Sequence, residues 1–296
     1  AHARRPAVAW PYRTLDPPAA TASERTGEGL SASGFMSYTG RIVLSLGRSQ
    51  QIKDLKVALQ CLFKIGTELL VESISDRLVL RSINTAKSAF FAVTFTAAFF
   101  DDYQVHGSQV VQSAVLLKHV LATFRTHKIQ HMTLDLDADQ SSLTITVVGD
   151  NNIKKTYHLE CMNSEILNAT IDKESCPTQV IAEAHELNKL LSSFQTGLDE
   201  ITIIANPEDS ASVASMHRAV QLQSFYDPDK ARSANSLHTS LAIDTRSLFV
   251  GYRHARESPS DVTFNVKDFR TMLTLCEHMG TNIMIRFEAT GMPLVA

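Results

Sequence analysis

The chain has 296 residues, 44% of them hydrophobic and 20% charged, with a formal net charge of -3 at pH 7 and a pI near 6.4. That length and apolar content suit about two globular domains with real cores. The slight acidity excludes a protein that is basic over its whole surface, so any contact with nucleic acid has to come from a local basic face. The four cysteines, Cys61, Cys161, Cys176 and Cys276, stand far apart with no CxxC pair, which argues against zinc sites and a disulfide framework and fits a reducing, intracellular compartment. Ala89 to Phe100 is the most apolar run, yet it falls short of the ~20 residues that a transmembrane helix needs, and no membrane partner is expected.

Residues 1 to 40 hold Pro6, Pro11, Pro17 and Pro18 among Ala, Ser, Thr, Gly and Arg without sustained periodicity, a composition expected to stay disordered. Trp10 lies in this extension, and Met36 is a candidate start of the folded protein. Residues 41 to 160 read as a first domain. A strand is predicted from Arg41 to Leu46, then a helix in which Ile52, Leu55, Leu59 and Leu62 recur on one side and Lys53, Lys56, Gln60 and Lys64 on the other. Gly66 is expected to close that helix as a C-terminal glycine. Leu69 with Val71, Leu78 with Leu80, and Phe91 with Val93 and Phe95 form alternating strands, joined at Ser75-Asp76 and Asn84-Thr85 by turns short enough to make them antiparallel. A strand from Val110 to Leu116 leads into a second helix, Leu117 to Lys128, with Leu117, Val120, Leu121 and Phe124 inward and Lys118, Arg125 and Lys128 outward. Met132 to Asp137, Leu143 to Val148 and Ile153 to Leu159 alternate as strands across the polar turns DADQSS and GDNN.

Residues 161 to 178, with Asn168, Asp172 and Ser175-Cys176-Pro177, carry a weak apolar pattern and read as a connector. From Gln179 the order restarts, and residues 179 to 296 form a second domain. A strand leads to a helix with Leu187, Leu190, Leu191 and Phe194 inward, then come Gly197 and a strand from Glu200 to Ala205, as around Gly66. The segment VKDFRTMLTLCEHMGTNIMIRF echoes LKHVLATFRTHKIQHMTLDL, with Lys267 in the place of Lys118. Two copies of one α+β fold, each with two helices on antiparallel sheet, account for this repetition. Ala219 to Tyr226 and Ser236 to Ile243 are further strands, while Asn206 to Ser215 and Asp244 to Pro259 are expected to be surface insertions. Met292 to Ala296 begins a strand that the chain does not finish.

The run LRSINTAKSAFFAVTFTAAFFDDYQ, Leu80 to Gln104, closely resembles the hairpin signature of the Rad-nine family: a Leu-Arg strand end, Asn before two small residues, a basic residue, Ser-Ala-aromatic, and a doubled Phe before a Tyr. The resemblance extends in weaker form over residues 41 to 296. It implies two tandem domains like those of the proliferating cell nuclear antigen (PCNA), in one subunit of the nine-one-one checkpoint clamp, a heterotrimeric ring around DNA. It further implies two paralogous ring partners of the Rad-one and Hus-one types, a clamp loader, client repair and checkpoint proteins, and a nuclear location. In that family the connector helps form a groove for partner peptides, and a long phosphorylated C-terminal tail, not expected within these 296 residues, recruits a signalling adaptor. One more strand would follow Ala296 and pair with Ser88 to Thr96. Ring subunits would join by pairing Ile153 to Leu159 with Ser236 to Ile243 of a neighbour, so Ile153, Lys155, Tyr157, Leu159, Leu237, Thr239 and Leu241 are the candidate interface residues.

Holding duplex DNA without reading its sequence calls for Lys and Arg aimed at phosphates. Lys53, Lys56, Lys64, Lys118, Arg125 and Lys128 meet that demand in the first domain. Lys189, Lys267 and Arg270 do so less clearly in the second, where Glu183, Glu186, Asp268 and Glu277 share their helices. An enzymatic alternative, a metal-dependent exonuclease, would gather Asp135, Asp137 and Asp139 on one face of a strand around a divalent cation. A solvent-facing strand end explains the same residues, and the calcium-loop pattern fails at Gln140 and Thr146. There is no HExxH, no GxSxG and no Gly-rich phosphate loop after a strand, so no catalytic residue, cofactor or metal is expected. A homotrimeric replicative clamp would share the fold and differ in assembly.

Overall fold

The computed structural model describes residues 8–9, 40–107, 110–162, 176–207, 219–225 and 237–296. The leucine-rich stripe of the first half folds as α1 (Ser49–Ile65), with Ile52, Leu55, Leu59 and Leu62 all buried. It lies between strands whose alternating residues face it. In chain order the first half runs β1 (Val8–Ala9), β2 (Gly40–Leu46), α1, β3 (Glu68–Ile74), β4 (Arg77–Ile83), β5 (Ala89–Thr96), β6 (Asp102–Gly107), β7 (Val111–Leu116), α2 (Leu117–Thr123), β8 (Ile129–Asp137), β9 (Ser142–Gly149) and β10 (Lys154–Glu160). The second half runs β11 (Thr178–Glu183), α3 (Ala184–Leu191), β12 (Glu200–Ala205), β13 (Val220–Phe225), β14 (Ser240–Ile243), α4 (Thr245–Leu248), β15 (Phe249–His254), β16 (Ser260–Asn265), α5 (Val266–Met279) and β17 (Asn282–Phe287).

The sheets repeat. The order β5-β4-β3-β7 of the first half recurs as β14-β13-β12-β16, and β8-β2-β6 recurs as β17-β11-β15. Beyond β8 the first half adds β9 and β10, which makes β10 an edge, just as β14 is an edge of its own sheet. All ladders are antiparallel except the two-residue pairing of β1 with β5, Val8 to Ala89 and Ala9 to Phe90. Each half has its own apolar centre. One is lined by Ile42, Leu55, Leu59, Val71, Leu80 and Leu143, the other by Val180, Leu187, Leu191, Ile203, Phe264 and Ile285.

The hairpin signature has a structural meaning. Asn84 Oδ1 accepts from the amides of Ser88 at 2.8 Å and Ala89 at 3.0 Å, which fixes the turn into β5. Phe95, Phe99, Phe100 and Tyr103 then pack in series at ring separations of 4.6, 5.1 and 5.4 Å, tilted, edge-to-face and stacked in turn. The Tyr103 hydroxyl sits 2.8 Å from the carbonyl of Ile74 and 2.7 Å from that of Arg77, beside the Ser73 hydroxyl, and so pins the β3–β4 turn.

Several expectations change. The second helix ends at Thr123 rather than Lys128, and α3 ends at Leu191, short of Phe194. Phe124 and Phe194 are nonetheless buried, because the turn after each helix still faces the core. Gly66 does follow α1, but with an extended φ of -150° rather than a left-handed one. It is glycine for want of room, since a Cβ there would stand 2.3 Å from the Ile83 carbonyl oxygen. The expected insertion from Asp244 to Pro259 is instead α4 and β15, a strand paired with β11. The strand placed at Ser236 begins at Ser240, and Ile153 precedes β10. Of the segment expected to be disordered, Val8 and Ala9 pair with β5 and Gly40 belongs to β2; the remainder lies outside the described residues, as do most of the connector and of the Asn206 insertion. At the C-terminus Val295 makes a single bridge to Arg286, with Leu294, Val295 and Ala296 buried.

Candidate nucleic-acid interface

The four longer helices form one layer in the order α2, α1, α5, α3, each packed on the next. α1 is anchored at its start by Asp101, whose carboxylate accepts from the Gly47 amide at 2.6 Å, Gln51 Nε2 at 3.1 Å and Arg48 Nε at 3.3 Å. The Gln51 hydrogen bond, ahead of those from Gly47 and Arg48, holds that carboxyl below its usual titration range. The α1–α5 contact is marked by His278 Nε2, 2.8 Å from Asp54 Oδ1.

Because the core stripe takes one side of α1, its lysines are left on the other. Lys53 and Lys64 are exposed and Lys56 is half-buried, while Lys118 on α2 and Arg125 just beyond it are exposed. None of these five makes an ion pair among the described residues, and Asp54, the one carboxylate on α1, is already engaged by Gln50 and His278. Lys128 lies past the helix at a positive φ of 45°, 3.6 Å from Asp150. The three candidate cations of the second half are committed. Lys189 sits 2.7 Å from Glu186, whose carboxyl is lowered by that hydrogen bond. Lys267 sits 3.0 Å from Asp199, and Arg270 donates to the Leu191 carbonyl at 2.9 Å. The helix layer is therefore asymmetric: its free positive charge is concentrated on α1 and α2, a pattern suited to phosphates.

The candidate joint residues lie in or just before β10 and β14, each the outermost strand of its sheet among the described residues. Tyr157 and Leu159 turn half-buried toward the core and Lys155 is exposed, while Ile153, 52% exposed, stands outside β10. Leu241 is in β14; Leu237 and Thr239 precede it, although the Thr239 carbonyl accepts from the Ser224 amide at 2.9 Å and extends the ladder by one rung. Since the Cys161 amide donates to the Ser141 carbonyl, the odd-numbered residues of β10 bond to β9 and the amides of Lys154, Thr156 and His158 point outward. On β14 the same reasoning leaves Ser240 and Ala242 facing outward. The odd-numbered residues chosen from sequence thus supply side chains, and their even-numbered neighbours supply the backbone groups an added strand would use.

Two of the three carboxylates of the enzymatic alternative are otherwise engaged, while Asp139 is exposed in the β8–β9 turn. Asp135 is held by both Arg41 Nε at 2.7 Å and Arg41 Nη2 at 2.5 Å, and Asp137 Oδ1 accepts from the Gln140 amide at 3.0 Å to close the β8–β9 turn. Sequence reasoning missed Phe63, 44% exposed on α1. Its signal was an aromatic that falls off the core stripe, seven residues after Lys56 and next to Lys64.

The sequence model of the family described as Rad9 matches residues 55–296. The chain belongs to the Rad9 family. It is 23% identical over 239 residues to the Drosophila melanogaster cell cycle checkpoint control protein Rad9, covering 80% of this chain and 49% of that one. With the Schizosaccharomyces octosporus DNA repair protein rad9 it shares 24% over 283 residues, 82% of this chain and 62% of the other. The Caenorhabditis elegans cell cycle checkpoint protein hpr-9 is 19% identical over 285 residues, 88% and 53%. The chain thus spans about half the length of the first of these Rad9 relatives. In fold it is similar to PCNA of Thermococcus kodakaraensis, with a TM-score of 0.61, 14% identity and coverage of 86% of this chain and 92% of that chain. The PCNA2–PCNA3 complex of Sulfolobus tokodaii is similar at a TM-score of 0.60, 13% identity and coverage of 83% and 89%. The chain therefore has a PCNA-like α+β fold.

Proposed function

We propose that this Rad9-family chain is a non-enzymatic subunit of a heterotrimeric DNA-damage checkpoint clamp that encircles double-stranded DNA without choosing sequence. The observation that carries the reading is the row of cations on α1, α2 and the turn after it that make no ion pair among the described residues, within the helix layer of a PCNA-like fold. Duplex DNA would pass over that layer, with Lys53, Lys56, Lys64, Lys118 and Arg125 meeting phosphates and Lys128, Lys189, Lys267 and Arg270 contributing less, because each is already bonded within the chain. The free edges of β10 and β14 would pair with the paralogous Rad-one and Hus-one types of subunit. A clamp loader would open the ring, and the assembled ring would act in the nucleus as a platform for repair and checkpoint proteins.

Co-expression with the two candidate partners, followed by mass measurement of the purified complex, tests this reading. A stable one-to-one-to-one complex is expected. A chain that trimerises with itself and ignores both partners would instead identify a replicative-type clamp.

A further inference from the structure

α1 presents an aromatic ring where a DNA-facing helix has no structural use for one. Phe63 is 44% exposed and contributes nothing to the core cluster. Asp54 marks the flank of α1 that meets α5 through His278, and Phe63, nine residues further on, lies about half a turn round the helix from it at about 100° per residue. That is the flank toward α2. Lys56, Gln60 and Lys64 neighbour Phe63 along α1, and Lys118 and Arg125 are exposed on the adjoining α2 segment, the cations having no ion-pair partner among the described residues.

A basic groove with an exposed aromatic side chain is the arrangement that binds single-stranded nucleic acid, the cations tracking the backbone while the ring stacks on a base face. A continuous duplex offers phosphates to the lysines but keeps its base faces stacked on one another. We infer that Phe63 is a base-stacking residue that makes this face favour DNA with an unpaired stretch, such as a gap, over uninterrupted duplex. The inference rests on the reading of the helix layer as the DNA face and adds to it a substrate preference that phosphate contacts cannot supply.

Fluorescence anisotropy with two labelled probes of equal length, one an intact duplex and one carrying a short single-stranded gap, separates the two claims. Phe63→Ala should weaken binding to the gapped probe by about tenfold, the lower part of the range for loss of one stacking ring. It should leave the duplex unchanged, and Phe63→Tyr should retain the preference. Lys56→Glu with Lys118→Glu should weaken both probes together. Loss of the gap preference in Phe63→Ala alone establishes the stacking role. Equal weakening on both probes, or no change on either, overturns it. If the lysine variants bind both probes as the parent does, the DNA face itself is wrong, and that failure is distinguishable from failure of Phe63. Circular dichroism melts of each variant confirm that the fold is retained.

Discussion

Reversing the free cations of α1 and α2 tests the electrostatic claim most directly. In the variant carrying Lys53→Glu, Lys56→Glu, Lys118→Glu and Arg125→Glu, four side chains without ion pairs among the described residues change sign, three of them exposed and Lys56 half-buried. Each phosphate contact contributes about 0.9 to the slope of log affinity against log salt, so the slope should become shallower by about 3.6. Over a change from about 50 to 200 mM salt, those contacts account for about two decades of the parent's loss in affinity, which the variant should not show. Lys189→Ala with Lys267→Ala is the control. These lysines face Glu186 and Asp199 at 2.7 and 3.0 Å, so their removal should alter the slope by much less than two full contacts. A salt titration of anisotropy on duplex DNA, with the chain in its assembled complex, reads both. An unchanged slope in the fourfold variant, or an equal loss in the control, refutes the assignment of the DNA face to α1 and α2.

Gly66→Ala should cost about 2 to 3 kcal/mol in a denaturant melt, because the new methyl would meet the Ile83 backbone carbonyl at 2.3 Å, and backbone cannot step aside as a side chain can. Thr156→Pro or Ala242→Pro, which remove outward amides, should block complex formation on a sizing column while leaving the monomer folded. Tyr157→Pro should instead disturb the β9–β10 ladder itself. Burial pushes the Cys61 thiol up from its ordinary 9.0 to about 11. A thiol raised in the folded state stabilises the fold below the unfolded value, so that contribution, about 3 kcal/mol, should be lost as pH climbs from about 9 toward 11. Comparing the alkaline melts of the parent with those of Cys61→Ala isolates it, and parallel curves would show that the thiol contributes nothing.

Elements whose apolar residues repeat at one period were legible before any coordinates. Leu55, Leu59 and Leu62 placed α1, and β12 runs from Glu200 to Ala205 as its alternation predicts. Periodicity reports burial, however, and not hydrogen bonding. Phe124 and Phe194 continue the helical stripe after their helices have ended, because a turn can keep a ring on the core. β15 went unseen for the opposite reason: of FVGYRH, Phe249 alone is buried, and Arg and His look like loop. The internal repeat could have found it, since β6 holds the same place beside β2 that β15 holds beside β11. At the candidate site the lysines of α1 were legible by spacing. The ion pairs that neutralise Lys267 and Lys128 were not, because Asp199 and Asp150 approach only through the fold.

The outer edge of β5 carries the last prediction. The Asn84 amide donates to the Ala89 carbonyl, so along the antiparallel ladder Phe91, Val93 and Phe95 bond back to β4, while the amides of Phe90, Ala92 and Thr94 point away from it. β1 reaches this edge at Ala89 and Phe90, and among the described residues no strand pairs with β5 beyond that point. Each outward amide without a protein partner forgoes about 1 kcal/mol of net hydrogen bonding. Phe91 and Phe95 are held in the core regardless, so β5 itself should stay folded. Residue-resolved hydrogen exchange should consequently alternate: slow at Phe91, Val93 and Phe95, fast at Ala92 and Thr94, and intermediate at Phe90 where β1 lies alongside. Val8→Pro with Ala9→Pro should raise the rate at Phe90 toward that of Ala92 and leave Val93 unchanged. If Ala92 and Thr94 exchange as slowly as their inward neighbours, another segment occupies the whole edge, and pairing through β1 is not what protects it.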